Sequence, residues 1–340
     1  MTEKLSRRLL LNKSAASIAG LLFCSAAKGG NAGQLARWDF RDADTLAHDS
    51  VTGLRDSICS RACKPPLGRG LSKGAFRLDG YSTWLTRDAS RAPILGREFT
   101  IEVCTALESY PTSEAAFVSQ RNGEIAGYFF GIDQFGFLHL KVSVDGIWRE
   151  SVSKQPIPRF QWSHLVASLD AAGPILLYRD GVRIASAEGR GGNVRLATTV
   201  DLLIGKGNGC AFIGRIFPSG VINGLLDEVV IHDRCLPEAE IQRKHRIVGP
   251  ASPDLALPIE GDPHRPVYHV LPARAWTNEP HGLIHFGGKY HLFYQKNLNG
   301  PYWGQINWGH LTSPDLLQWT TAPPFRPNRG WMPRVAGRVL

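Results

Sequence analysis

The sequence has no apolar run of the ~20 residues that a membrane-spanning helix needs. Its one apolar stretch near the start, Ala15 to Phe23, is well short of that, so no stable membrane span is expected. It also lacks a broad field of one charge. The formal net charge is +9, from 39 Lys and Arg against 30 Asp and Glu, but the excess sits at the two ends. Residues 1–28 hold Lys4, Arg7, Arg8, Lys13 and Lys28 against Glu3 alone, and residues 321–340 hold Arg326, Arg329, Arg334 and Arg338 with no acid. Each end is therefore +4, which leaves +1 for the body. A nearly neutral body has no basic face to neutralise phosphates, which argues against a nucleic-acid partner. Cysteine is sparse as well. Outside the first 28 residues there are Cys59, Cys63, Cys104, Cys210 and Cys235, an odd number. Cys59 and Cys63 lie in a Gly/Pro-rich loop where they could pair in an oxidising compartment. No second Cys/His pair accompanies them, so a zinc site is not expected. The other three read as buried thiols.

What the sequence does have is punctuation: 36 Gly and 22 Pro in 340 residues. That density favours short strands and turns over long helices. The first 28 residues form an export signal: a charged region with Arg7-Arg8, the short apolar stretch, then Ser25-Ala26-Ala27 as a cleavage site. Paired arginines followed by Leu9-Leu10-Leu11 resemble a twin-arginine signal, with an ordinary secretory signal as the alternative. The protein is accordingly expected outside the cytoplasm, periplasmic or extracellular.

From residue 34 to residue 248 the pattern is all-β. Phe99 to Ala106 alternates apolar and polar, the period of a half-buried strand. Gly127–Asp133, Phe137–Val144, Trp162–Leu169, Ile175–Tyr178, Asp201–Gly205 and Gly224–His232 follow, with Asp145-Gly146 and Asp180-Gly181 as hairpin turns. Regular strands with such turns indicate a sandwich. The order of these pieces resembles the laminin-G-like, concanavalin A-like domains found beside bacterial carbohydrate enzymes: a Trp-x-His strand, a Tyr-x-Asp-Gly hairpin, a Leu-Leu-Ile-Gly strand and a closing Gly-x-x-Asp-Glu-Val strand with a short helix. The resemblance implies a jelly-roll sandwich that often binds glycans and sometimes a structural calcium. Asp39, Asp49 and Asp227 are the candidate calcium ligands, since calcium takes several oxygen donors; the alternative is that these carboxylates cap turns. Trp84, Tyr128 and Trp148 are candidates for stacking on sugars, against the commoner role of filling the core. No other cofactor is expected.

Residues 249–272 hold six prolines, at 250, 253, 258, 263, 266 and 272. Such a stretch sustains neither a helix nor a central strand and reads as a linker. Residues 273–320 then carry Trp276-Thr-Asn278-Glu279-Pro280-His281-Gly282, Phe293-Tyr294-Gln295 and Trp303-Gly304-x-x-x-Trp308-Gly309-His310. Leu283–Phe286, Tyr290–Tyr294 and Trp308–Thr312 make one antiparallel unit with a hairpin over Gly287-Gly288, a candidate propeller blade. Asn-x-Pro-x-Gly forces a turn that can present a carboxylate, and aromatics beside amides suit sugars.

These motifs resemble glycoside hydrolase family 32, the invertases, inulinases and levanases. The resemblance implies the first blade of a five-bladed propeller and retaining hydrolysis of β-fructosides in an oligo- or polysaccharide. It places the nucleophile at Glu279 and substrate contacts at Asn278, Gln295, Trp303 and Trp308. Three departures stand out. Glu replaces Asp at the nucleophile and His281 replaces Asn. The Arg-Asp-Pro and Glu-Cys motifs, which carry the family's other two carboxylates, do not occur after Trp319. Residues 321–340 form a basic tail without strand alternation. These features predict an all-β chain, a sandwich followed by one blade of an incomplete propeller, truncated and inactive as it stands. The alternative is a secreted lectin-like protein without catalysis, and a third reading is a structural adhesion module.

Overall fold

The computed structural model describes residues 33–40, 46–60, 67–68, 70–71, 74–245, 252–255, 266, 268–272 and 275–322. The expected signal, most of the linker, Cys63 and residues 323–340 lie outside them. No helix among the described residues is long and apolar enough to cross a membrane.

Two eight-stranded antiparallel sheets face each other. The first runs, in spatial order, Val182–Ala187, Ile175–Arg179, Trp162–Leu169, Phe99–Ser109, Asn223–His232, Ala75–Asp79 and Leu67–Gly68, with Gln34–Trp38 also paired to Asn223–His232. The second runs Ile147–Pro156, Phe137–Val144, Ala126–Ile132, Ala115–Asn122, Leu202–Ile204, Trp84–Arg87, Arg55–Cys59 and Leu46–His48. Every strand expected from the sequence is present. The Asp-Gly turns take the positive φ values that join twisted strands: 49° and 82° at Asp145-Gly146, 54° and 78° at Asp180-Gly181.

The core lies between the sheets and includes Trp38, Phe76, Phe99, Ile101, Val103, Phe117, Tyr128, Phe130, Leu165 and Leu226. Tyr128 is thus a core residue and not a sugar platform, because its strand turns that side toward Phe99, 6.1 Å away. The other two aromatics are engaged at the surface: Trp84 lies under the Lys206 ammonium, and Trp148 donates its indole N–H to the Glu124 carbonyl.

The first sheet is buried on its outer face too. A short helix, Glu238–His245, seats Ile241 with Leu236 against Val166 and Tyr178. The polar positions that made Phe99–Ala106 look half-exposed are therefore enclosed. Glu102 is buried there, accepting from His164 Nε2 at 3.1 Å, His232 Nε2 at 2.5 Å and Lys244 Nζ at 2.7 Å. A buried carboxylate needs this many donors to offset its desolvation.

The C-terminal sheet is a four-stranded meander, Trp276–Phe286, Lys289–Asn297, Asn307–Ser313 and Thr320–Thr321, with its first hairpin over Gly287-Gly288. It is the single blade that the motifs implied. Its outer strand starts seven residues earlier than expected, and the Asn-Glu-Pro-His-Gly segment is part of that strand and not a turn. An edge strand tolerates Pro280 because it is paired on one side only. Two bulges absorb the rest of the irregularity.

The connection after Lys289–Asn297 is locked onto the sandwich. Asn299 Nδ2 donates to the Tyr110 carbonyl at 2.8 Å, Asn223 Nδ2 to the Leu298 carbonyl at 2.8 Å, and Gln305 Nε2 to the Pro111 carbonyl at 2.7 Å. Ser109 Oγ donates to Asn299 Oδ1 at 2.5 Å. The Tyr302 ring packs 5.3 Å from Phe217, which meets Tyr81 at 5.8 Å. The outer strand, by contrast, is exposed along almost its whole length.

Candidate active site on the blade

The site begins with a bulge. Asn278 pairs with Gln295 and Pro280 with Tyr294, so Glu279 is an extra residue with no partner of its own. Its φ is +40°, a left-handed conformation that a non-glycine residue adopts only under constraint. Bulges re-aim side chains. Here the bulge turns the carboxylate toward the row Asn278, Gln295, Trp308, which are cross-strand partners in register. Gln295 Nε2 donates to Glu279 Oε2 at 2.7 Å, and His281 Nε2 lies 3.5 Å from the same oxygen. The His281 ring stands edge-on to Trp308, centroids 5.6 Å apart. A second bulge between His281 and Ile284 is eased by Gly282 at φ +58°.

Four of the five residues expected here thus meet on one face: Asn278, Glu279, Gln295 and Trp308. Glu279 keeps 56% of its side chain exposed and is open to a ligand. Trp303 belongs to the docked loop and is itself exposed; no contact joins it to Glu279. In the motif His281 is only a departure from the family pattern; its place beside the carboxylate depends on the pairing and bulges of the outer strand.

The same face continues into Phe293, His291 and His310. His291 Nε2 contacts the Phe286 carbonyl at 3.1 Å and its Nδ1 faces His310 Nε2 at 2.9 Å, while His310 stacks on Phe293 at 4.5 Å. Burial, then the nearby His291, lowers the pKa of His310. The opposite face is different in kind. There Leu283, Leu292, Tyr294, Leu311 and Trp319, with Val270 and Pro272 from the lead-in, line an apolar cleft of about 360 Å³, which Thr277, Asn278, Glu279 and Pro280 of the outer strand also line.

The blade's described strands and loops hold one other carboxylate, Asp315. It accepts from the backbone N–H groups of Gln318 and Leu317, both at 2.9 Å, which with Ser313 lower its pKa. It serves its own turn.

The three carboxylates proposed for calcium do not gather. Asp49 accepts from the N–H groups of Arg37 and Val51, both at 2.9 Å, from Thr52 Oγ1 at 2.5 Å and from Arg87 at 2.9 Å. Asp227 sits at a bulge in Asn223–His232 and accepts from the Leu71 N–H. Asp39 is half-buried on the segment that follows Gln34–Trp38. Among the described residues no group of three or more His, Cys, Asp or Glu side chains is placed to hold a metal. These carboxylates do not fit a calcium site.

Residues 269–331 match the sequence model of the glycosyl hydrolases family 32 N-terminal domain, so the match runs past residue 320 into the basic tail. Residues 79–242 match that of the concanavalin A-like lectin/glucanases superfamily. Over 69 residues the chain is 46% identical to the extracellular exo-inulinase of Aspergillus niger, covering 20% of this chain and 13% of that enzyme. Over 58 residues it is 52% identical to the sucrose-6-phosphate hydrolase of Zymomonas mobilis, covering 17% of this chain and 11% of the enzyme. The chain thus spans little more than a tenth of the length of these relatives. Among solved structures, domain 4 of an extracellular GH43 arabinanase from Geobacillus stearothermophilus, in complex with arabinotriose, aligns with TM-score 0.48 and 18% identity, over 64% of this chain and 98% of that one. In order along the chain, then, come a concanavalin A-like domain and a segment of a family 32 N-terminal domain.

Proposed function

We propose that this is an exported carbohydrate-active protein whose blade presents a β-fructoside site at Glu279. The observation that carries the reading is the bulge that lifts the Glu279 carboxylate onto the same face as Gln295 and Trp308, with Gln295 Nε2 holding it at 2.7 Å. A carboxylate, amides and an exposed indole on one face match the chemistry of a sugar, which offers hydroxyls and apolar C–H faces. The resemblance to inulinases and sucrose-phosphate hydrolases supports fructose as the sugar. The sandwich is proposed to serve as the accompanying glycan-binding module, and export to follow from the signal pattern of residues 1–28.

Retaining hydrolysis uses two carboxyl groups about 5–5.5 Å apart, one as nucleophile and one as acid/base. In the described blade Glu279 has no such partner, since Asp315 is tied to its own turn. The 340-residue chain is therefore proposed to bind β-fructosides without turning them over. Incubation with sucrose, inulin and levan is expected to release no fructose, while immobilised inulin retains the protein. Turnover that Glu279→Gln abolishes would contradict this and require a second carboxylate from elsewhere in the chain.

A further inference from the structure

We infer that His281 is a positioning residue for the Glu279 carboxylate and that Oε1 is the oxygen Glu279 turns to its ligand. This rests on the reading of Glu279 as the substrate-facing group. Gln295 at 2.7 Å and His281 at 3.5 Å both approach Oε2, and no described residue donates to Oε1. A glutamate on an exposed strand has three side-chain torsions to hold. One hydrogen bond to Oε2 leaves the carboxylate free to pivot about that oxygen. A second polar contact on the same oxygen, the 3.5 Å approach of His281 Nε2, limits the pivot and points Oε1 outward. His281 supplies that contact through its Nε2, and its ring stands edge-on to Trp308 at 5.6 Å, the cross-strand partner of Gln295. The side-chain contacts thus run from Trp308 to His281 to Glu279 to Gln295.

The alternative is that His281 only packs on Trp308. Two substitutions separate these in the full 340-residue chain. His281→Phe keeps the edge-on ring contact and removes the donor; His281→Gln keeps a donor and removes the ring. The readouts are hydrogen exchange of the Gln295 side-chain amide by ¹⁵N NMR, the affinity for the trisaccharide 1-kestose by NMR titration, and the thermal midpoint. His281→Phe is expected to leave the midpoint unchanged, to speed Gln295 amide exchange, and to weaken 1-kestose binding about 2- to 5-fold, the scale of an exposed charged contact. His281→Gln should restore both. A His281→Phe chain that matches wild type in exchange and affinity overturns the inference, as does a His281→Gln chain that fails alongside it. If 1-kestose affinity depends on Glu279 but not on His281, the inference alone falls. If the wild-type chain takes up no 1-kestose, the reading of Glu279 falls and the inference with it.

Discussion

Replacing Asn299 by alanine should detach the blade from the sandwich. Asn299 is 1% exposed and holds four partners at once. Its Nδ2 donates to the Tyr110 carbonyl at 2.8 Å and to Gln305, and its Oδ1 accepts from Ser109 at 2.5 Å and Asn223 at 3.4 Å. Each buried polar group left without a partner costs about 1–3 kcal/mol. Ser109 and Asn223 keep a bond to each other, and water entering the gap recovers part of the rest. The net loss is therefore about 2–4 kcal/mol in the docking of the blade. When opening and closing are fast, proteolysis reports the open population. Cleavage within residues 276–322 should then accelerate by about 30-fold to several hundred-fold at tenfold per 1.4 kcal/mol. Residues 34–245 carry their own closed core and should resist as before. Thr320→Ala, at an exposed strand end, is the control. Cleavage faster by less than about twofold would refute the claim that this amide network holds the blade.

Other consequences can be checked independently. Burial raises the Glu102 pKa, but hydrogen bonds from His164 and His232 with the Lys244 charge outweigh it, holding the carboxyl well below its ordinary value of 4.5. A depressed carboxyl gives stability that is complete above its unfolded value and is lost as pH falls toward the folded one. Chemical denaturation should show stability falling below about pH 4.5, with Glu102→Gln flattening that limb and costing about 3 kcal/mol at pH 7. At the φ +40° position, Glu279→Gly should leave the blade about 1 kcal/mol more stable than Glu279→Ala; equal melting points would mean the bulge is not strained. Gly309→Ala would set a methyl 2.1 Å from the Tyr294 ring and should cost the blade about 2 kcal/mol or more, read by denaturation. Arg7→Lys with Arg8→Lys should abolish export, and normal secretion of the pair would remove the twin-arginine assignment.

Much of the sandwich was legible because its signals are local. Asp145-Gly146 and Asp180-Gly181 carry the hairpin geometry in two residues, and strands such as Trp162–Leu169 announce themselves by their apolar content. The burial of Glu102 was not legible, since it depends on a helix more than a hundred residues later closing over the outer face. Asn278-Glu279-Pro280-His281-Gly282 read as a turn because Pro and Gly usually make one. Only the pairing with Lys289–Asn297 shows that an edge strand absorbs both through bulges. The identity of Glu279 as a candidate was visible in the motif, whereas its orientation came from that bulge. Asn299 gave no signal at all: a lone asparagine between leucine and glycine looks like any loop residue until the sandwich wall is placed against it.

The central claim, that Glu279, Gln295 and Trp308 form a β-fructoside site on the blade, is tested most directly by titrating the full chain with 1-kestose. The nine tryptophan indole resonances and the Gln295 side-chain amide would be followed by NMR. The account predicts that the Trp308 and Gln295 signals move together with one affinity, and that Glu279→Gln weakens that affinity. Shifts confined to tryptophans of the sandwich, or no shift at all, would contradict it.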